Sequence, residues 1–267
     1  MINMRFFLSF ILLLFFNSCN SQIKENDNRW QQLDKVVEKQ ISEKHIPSIA
    51  IGVVKNGEIL YLKGYGYADL EKKIPAHKKT IYQLGSVTKT ITGHILAQLI
   101  SENKIALTDA LAHFFPSNLK FPKYANNNPI LIKDLATHSA ELPRYPTNLK
   151  RVDPDPIKGY SYEEMLDSLE DTKIDTIGGY RFNYSNFGYG DGVLATAIQN
   201  RIVKDFSKIL EQKIFEPYKM NNISLVLTTE IANELSTPYL SVNPPIKTEP
   251  WDMGSMSGAG NVFSNVE

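Results

Sequence analysis

Tyr82-Gln83-Leu84-Gly85-Ser86-Val87-Thr88-Lys89-Thr90 is the stretch on which the reading of this 267-residue chain turns. A strand-like entry and a glycine lead to Ser86. An apolar-striped segment follows, with Ile91, Ile95, Leu96, Leu99 and Ile100 at helical spacing. A serine and a lysine three apart at a helix start lie on one face, so the ammonium reaches the hydroxyl. An alcohol is a poor nucleophile at neutral pH. A nearby amine accepts its proton if burial or neighbouring charge lowers the amine's pKa. One helical turn therefore offers a nucleophile and its base, which points to acyl transfer.

The spacing alone is unspecific. Ser21/Lys24, Ser101/Lys104 and Ser117/Lys120 repeat it. Those copies fall in a polar linker, near a helix end and after a proline, and read as solvated surface. Only Ser86 has the strand, the preceding glycine and the following helix.

Working outward toward the N-terminus, Trp30, Leu33, Val36, Val37 and Ile41 predict an amphipathic helix over 29–44, stopped by Pro47. Ser48 to Val54 reads as a strand, Asn56-Gly57 as a tight turn, and Ile59 to Leu62 as the returning strand, ending near Gly64 and Gly66. Beyond Ser86 the pattern is helix and loop. Ile130–Thr137, Tyr162–Leu169, Asp191–Val203 and Phe206–Phe215 read as helices, and Ile223–Leu227 as strand. Sheet elements flanking a helical block imply an α/β (α+β) fold: an antiparallel sheet flanked by helices, with a large helical insertion. The expected division is a sheet lobe, 29–83 and 223–267, and a helical lobe, 84–222. Ser86 lies at their junction, where clefts for small molecules are common.

The N-terminus reads as a targeting segment. Met1 to Arg5 is basic, and Phe6 to Phe16 is an apolar run broken only by Ser9, too short for the roughly 20 residues of a membrane span. Phe16-Asn17-Ser18-Cys19 follows and resembles a bacterial lipobox, so 1–19 reads as a lipoprotein signal peptide with Cys19 as the lipidated residue. Ordinary signal cleavage or a free thiol is the competing reading. Residues 20–28 are polar and read as a tether. Cys19 is the sole cysteine, so no disulfide forms within the chain.

Composition excludes some classes. Net charge is zero, with 29 basic and 29 acidic residues, which lacks the basic footprint of a nucleic-acid binder. The five histidines are scattered, without His-x-x-x-His or a cysteine cluster, so neither a metal nor another cofactor is expected. His138 reads as a packing or local capping residue.

A second constellation is the glycine-rich aromatic loop Gly178-Gly179-Tyr180-Arg181-Phe182-Asn183-Tyr184-Ser185-Asn186-Phe187-Gly188-Tyr189-Gly190. Tyr184 and Asn186, two apart, point the same way in an extended loop. A phenol near a lysine can carry a proton to a leaving group, and a carboxamide can both donate to and accept from a substrate amide. Packing of an aromatic loop on the core is the alternative. A second Tyr-x-Asn, Tyr124-Ala125-Asn126, lies in a polar turn and reads as surface.

Together, Leu84 to Thr90 and Tyr184-Ser185-Asn186 resemble the serine β-lactamase and penicillin-binding-protein-like family, class C type, with its related esterases and D-amino-acid peptidases. The resemblance runs from about Trp30 to Glu267. Ile46-Pro47-Ser48 through Tyr67-Ala68-Asp69 is similar to the opening hairpin. Leu135-Ala136-Thr137-His138-Ser139 and Leu142-Pro143 are similar to Leu-Thr-His-Thr-Ser-Gly-Leu-Pro, with Ala140-Glu141 departing from it. Ile214-Phe215-Glu216-Pro217 with Met220, and Ser257 to Val262, match later stretches. The two catalytic motifs stand 98 residues apart in matching order.

The resemblance implies an acyl-enzyme on Ser86, formed from an amide, lactam or ester. Lys89 would assist deprotonation, Tyr184 would protonate the leaving group and Asn186 would orient the substrate. Proton roles within such a set are coupled, so the base is assigned to neither Lys89 nor Tyr184 alone. The implied partners are a small-molecule or peptide acyl substrate and, through the lipid anchor, the cell-envelope membrane. The expected location is the bacterial envelope. Oligomeric state stays open.

One family motif is missing. No Lys-Thr-Gly or His-x-Gly triplet follows Asn186; Lys247-Thr248 is followed by Glu249. Ser264 to Glu267 reads as the start of a helix, which suggests an incomplete chain. The missing strand would leave the hairpin with an open edge and remove an oxyanion donor, a loss of about 10²–10³ in turnover. The expectation is a chain that is inactive or weak as written. A non-catalytic, lipid-anchored binding or sensor module on the same fold is the alternative.

Overall fold

A computed structural model describes residues 28–150, 155, 157–189 and 192–267. The expected signal peptide, Cys19 and nearly all of the expected tether lie outside the described residues.

The chain begins with helix α1 (Asn28–Lys44), then the hairpin β1 (Ser48–Lys55) and β2 (Glu58–Asp69), then β3 (Ile74–Pro75) and β4 (Tyr82–Gln83). A 3₁₀ turn at Gly85–Val87 enters α2 (Thr88–Ser101). Next come α3 (Ile132–Ala136), α4 (Tyr162–Asp171), α5 (Asn186–Tyr189), α6 (Val193–Ile202) and α7 (Phe206–Leu210). The last part holds β5 (Ile223–Ser224), α8 (Thr229–Asn233), β6 (Tyr239–Val242), β7 (Pro245–Lys247) and β8 (Phe263–Ser264).

Four of the five apolar residues that predicted α1 pack as their spacing requires, whereas Val36 is exposed. Trp30, Leu33, Val37 and Ile41 pack on Ile49, Ile51, Val53, Tyr61 and Tyr65, and Trp30 stacks on Tyr61 at 4.8 Å. Asp34 fastens this layer by accepting from Tyr65 Oη at 2.7 Å and Lys63 Nζ at 2.9 Å. Hydrogen bonds from Tyr61 and Tyr65 lead the causes that hold its carboxyl down to about 2.

Several expectations change. The returning strand does not stop near Gly64 and Gly66 but runs to Asp69 and recruits β3. Those glycines are sites of close backbone approach: a Cβ on Gly64 would lie 2.4 Å from His77 Cα, and Gly66 takes φ +73° with a Cβ position 2.3 Å from Pro47 O. Of the stretch expected to open a terminal helix, 265–267 take no regular structure and Ser264 belongs with Phe263 to strand β8. It lies between β4 and β5, with Gln83 and Ser224 both opposite Phe263. Phe263 is buried with Ile81 and Ile231, which a strand achieves while its backbone pairs on both sides. Strand β5 is correspondingly only two residues long, and Glu211–Phe215 is a π-helical turn after α7. Tyr124 is not a surface residue: it is buried and donates to Asp134 Oδ2 at 3.0 Å.

Among the described residues three small sheets result, β1-β2-β3, β4-β8-β5 and β6-β7. The main apolar core joins α2, α3, α4, α5, α6 and α7 to Met253, Met256, Ala259 and Val262. Residues 253–262 therefore pack with the helices and set the floor on which α2 rests. Among the described residues, no helix is long and apolar enough to cross a membrane.

Candidate active site

Gly85 determines how the chain enters the site. Its φ of +54° is in the left-handed region that L side chains rarely adopt, and it lets β4 turn directly into the 3₁₀ turn. Ser86 then sits exposed on that turn, while Lys89, one turn on, is buried to 7% exposure.

Three side chains of α2 fasten the floor. Thr92 Oγ1 donates to Gly258 O at 2.9 Å, Lys89 Nζ donates to Ala259 O at 2.8 Å, and Val262 N–H donates to Thr88 Oγ1 at 3.1 Å. The lysine is thus held in a fixed rotamer beneath the serine, and it also donates to Ser86 Oγ at 3.2 Å.

Tyr184 arrives from the distant loop and donates to Ser86 Oγ at 2.8 Å. Its ring centroid is 5.0 Å from Lys89 Nζ and 5.7 Å from Arg144 Cζ. The ring also packs on His138 at 4.6 Å, and His138 stacks on Tyr189 at 4.8 Å. Tyr189 Oη in turn donates to Lys89 O at 3.1 Å. The loop and the start of α2 are therefore joined through an aromatic stack. Ser185 N–H donates to His138 Nδ1 at 3.2 Å, so the imidazole packs and accepts locally.

Burial lowers the Lys89 ammonium from its ordinary 10.5, opposed by Tyr184 and reinforced by the Arg144 charge. Burial alone would raise the Tyr184 phenol. Hydrogen bonding with Lys89 and Ser86 and the charges of Lys89 and Arg144 outweigh it, and the phenol falls below 10.0. Both groups lose a proton more readily than they would in water, as a shared base requires.

Asn186 begins α5, is nearly buried, and lines the same cleft of about 360 Å³. No donor among the described residues reaches its Oδ1. A buried acceptor without a partner costs about 1–3 kcal/mol, so its position facing a cleft is a site for an incoming donor. A second cleft of about 600 Å³ shares Gln83 and Trp251 with the first and contains none of the four candidate residues.

The four residues Ser86, Lys89, Tyr184 and Asn186 meet around one cleft. The other Ser-x-x-Lys copies within the described residues, Ser101/Lys104 and Ser117/Lys120, are exposed. Lys247, in the departing Lys-Thr-Glu triplet, is engaged elsewhere: it lies 3.0 Å from Asp69 Oδ2 and 3.0 Å from Glu71 Oε2. No group of His, Cys, Asp or Glu that could hold a metal ion occurs among the described residues. Sequence reasoning missed Arg144 and Tyr189. Arg144 directly follows Leu142-Pro143 in a stretch already singled out, and that adjacency was the available signal.

Comparison with known proteins identifies the family. The chain is 28% identical over 235 residues to Protein flp of Staphylococcus aureus, covering 86% of this chain and 46% of that protein. It is 25% identical over 252 residues to the teichoic acid D-alanine hydrolase of Staphylococcus aureus, covering 91% of this chain and 57% of the hydrolase. The chain therefore spans about half the length of these curated relatives. In fold it is similar to a β-lactamase/D-alanine carboxypeptidase from Yersinia pestis, with a TM-score of 0.78 at 23% identity, covering 90% of this chain and 66% of that one. The β-lactamase family model matches residues 33–267, a span that holds both the Ser86 helix and the Tyr184 loop, and the chain belongs to that family.

Proposed function

We propose that this chain carries the acylation site of a serine hydrolase acting on amide, lactam or ester bonds. The observation that supports this most is the shared contact at Ser86 Oγ, which receives Lys89 Nζ at 3.2 Å and Tyr184 Oη at 2.8 Å while facing the cleft.

In this reading the Lys89–Tyr184 pair takes the Ser86 proton as Oγ attacks the carbonyl carbon. The tetrahedral intermediate collapses as Tyr184 returns a proton to the leaving nitrogen or oxygen. Water then attacks the acyl ester, and the same pair manages that proton. Asn186 supplies hydrogen bonds to the substrate beside the reacting carbonyl. The pair acts as one titrating unit, so its proton positions are not divided between the two residues.

The relative named for removal of D-alanine from teichoic acid supports an acyl substrate of the cell envelope. A lipidated Cys19 with a tether over 20–28 would hold the domain at that membrane, outside the cytoplasm.

The test separates acylation from turnover. Incubation with a fluorophosphonate and intact-mass measurement should add one adduct, mapped to Ser86 and absent from Ser86→Ala. Nitrocefin and p-nitrophenyl acetate then measure turnover. A folded chain with an unmodified Ser86 would overturn the enzymatic reading and favour the non-catalytic binding module. Rapid turnover abolished by Ser86→Ala would overturn only the expectation of weak activity.

A further inference from the structure

Arg144 stands beside the reacting group. Its guanidinium lies 5.7 Å from the centroid of the Tyr184 ring and 5.8 Å from that of Tyr145. The residue is exposed and lines the Ser86 cleft. Its backbone is held to the loop that carries Tyr184, because Arg144 O accepts from Asn186 N–H at 3.0 Å and from Phe187 N–H at 3.3 Å. The side chain is therefore anchored at its base and braced by two rings.

Its charge is unanswered. No carboxylate of the described residues pairs with Arg144, whereas nearby Arg181 pairs with Glu141 at 2.9 Å. Arg201 is also occupied, with Nε donating to Lys104 O. The residues lining the cleft include no aspartate or glutamate, so Lys89 and Arg144 give it a positive character. A planar guanidinium with free donors matches carboxylate and phosphate oxygens in a two-pronged geometry.

Resting on the hydrolase reading, we propose that Arg144 is the anion receptor of this cleft. It binds a carboxylate or phosphate carried by the acyl substrate. Arg144 packs against the ring of Tyr184, whose hydroxyl reaches Ser86 Oγ, so an anion on a substrate seated at Ser86 comes within reach of the guanidinium. The same cation also favours loss of protons from Lys89 and Tyr184, and an anion bound to it would moderate that effect.

Boronic acids test this without requiring turnover, because boron accepts the serine oxygen reversibly. Phenylboronic acid, 3-carboxyphenylboronic acid and 3-phosphonophenylboronic acid are compared by their protection of Ser86 from fluorophosphonate labelling. The full chain should favour one or both anionic compounds over the neutral one by roughly tenfold at low salt, and the preference should shrink as salt is added. The carboxylate and phosphonate arms identify which anion is recognised. Arg144→Gln should bring the anionic-to-neutral ratio to within about twofold, and Arg144→Lys should keep part of it. Because the readout is a ratio, any general loss of reactivity in a variant cancels. A wild-type chain that binds all three equally, or an Arg144→Gln chain that keeps the preference, overturns the proposal and leaves the hydrolase reading standing. Failure of every boronate to protect a labelled Ser86 in the wild-type chain also overturns the proposal alone, and a folded chain whose Ser86 takes no label overturns both.

Discussion

The Tyr184 hydroxyl donates to Ser86 Oγ at 2.8 Å across 98 residues of chain. That single contact joins a helix-start serine to a loop that shares no secondary-structure element with it. The aromatic stack of Tyr184, His138 and Tyr189 holds the loop in place, and Tyr189 returns the connection to the backbone of Lys89.

If that contact is used for proton transfer, Tyr184→Phe should slow fluorophosphonate labelling of Ser86 by about 10²–10⁴. Lys89→Met should do at least as much. The pair acts as a unit, so the double variant should lose little more than the worse single one. Labelling rates of the three variants, with melting curves as a folding control, decide this. Additive losses would mean independent roles.

The labelling rate should rise with pH. Lys89 and Tyr184 are both lowered from their ordinary 10.5 and 10.0, so the ascending limb should lie below those values. Arg144 disfavours the ammonium and favours the phenolate. Removing it with Arg144→Gln should therefore move the limb to higher pH. A rate profile between about pH 6 and 10 measures both effects, and an unmoved limb would show that Arg144 is electrostatically silent.

His138 should matter for stability, and for chemistry only through the stack that places Tyr184. Its Nδ1 accepts the Ser185 N–H, and Ser185 is buried. His138→Ala should leave that donor unsatisfied and cost about 1–3 kcal/mol in urea denaturation. Burial, then the Lys89 charge, lowers the His138 pKa below 6.5. A neutral ring is thus favoured in the folded state. Its contribution is complete above about pH 6.5 and is lost as pH falls below that toward the lower folded value. The wild-type chain should lose stability across this window, and the alanine variant should lose less.

Gly93→Ala reverses the usual expectation for a helix. Alanine in place of glycine normally stabilises a helix interior by about 0.5–1 kcal/mol. At Gly93 of α2 the added Cβ would stand 2.7 Å from Tyr189 Oη. Tyr189 has little freedom to yield, since its ring stacks on His138 and its hydroxyl donates to Lys89 O. The variant should be less stable by about 1–3 kcal/mol and label more slowly, read by thermal melting and labelling kinetics. A stabilised, fully reactive variant would show that the stack moves freely.

Periodicity was enough for the elements whose burial follows a single face. Helix α1, the β1–β2 hairpin and helix α2 were legible because their apolar residues recur at one period and their glycines mark turns. The elements misread were those whose conformation depends on distant partners. Gly64 and Gly66 looked like strand ends, yet they are small because the Ala76–His77 backbone and Pro47 press against them. Ser264 looked like part of a helix start, yet with Phe263 it is held in β8 by pairing to Tyr82–Gln83 and Ile223–Ser224. Tyr124 looked solvated because its neighbours are polar, and only Asp134, ten residues away, explains its burial.

The order and spacing of Ser86, Lys89, Tyr184 and Asn186 were written in the chain, because one helical turn fixes the first pair and a short extended loop aligns the second. Their meeting was not, since nothing local makes residue 184 approach residue 86. The fold decided that, by packing Tyr184 through His138 and Tyr189 onto the helix that carries Lys89. It also decided that Arg144 would face the cleft with no carboxylate of the described residues paired to it. An electrostatic environment depends on which groups come close in space, and a linear sequence carries no distances between residues so far apart.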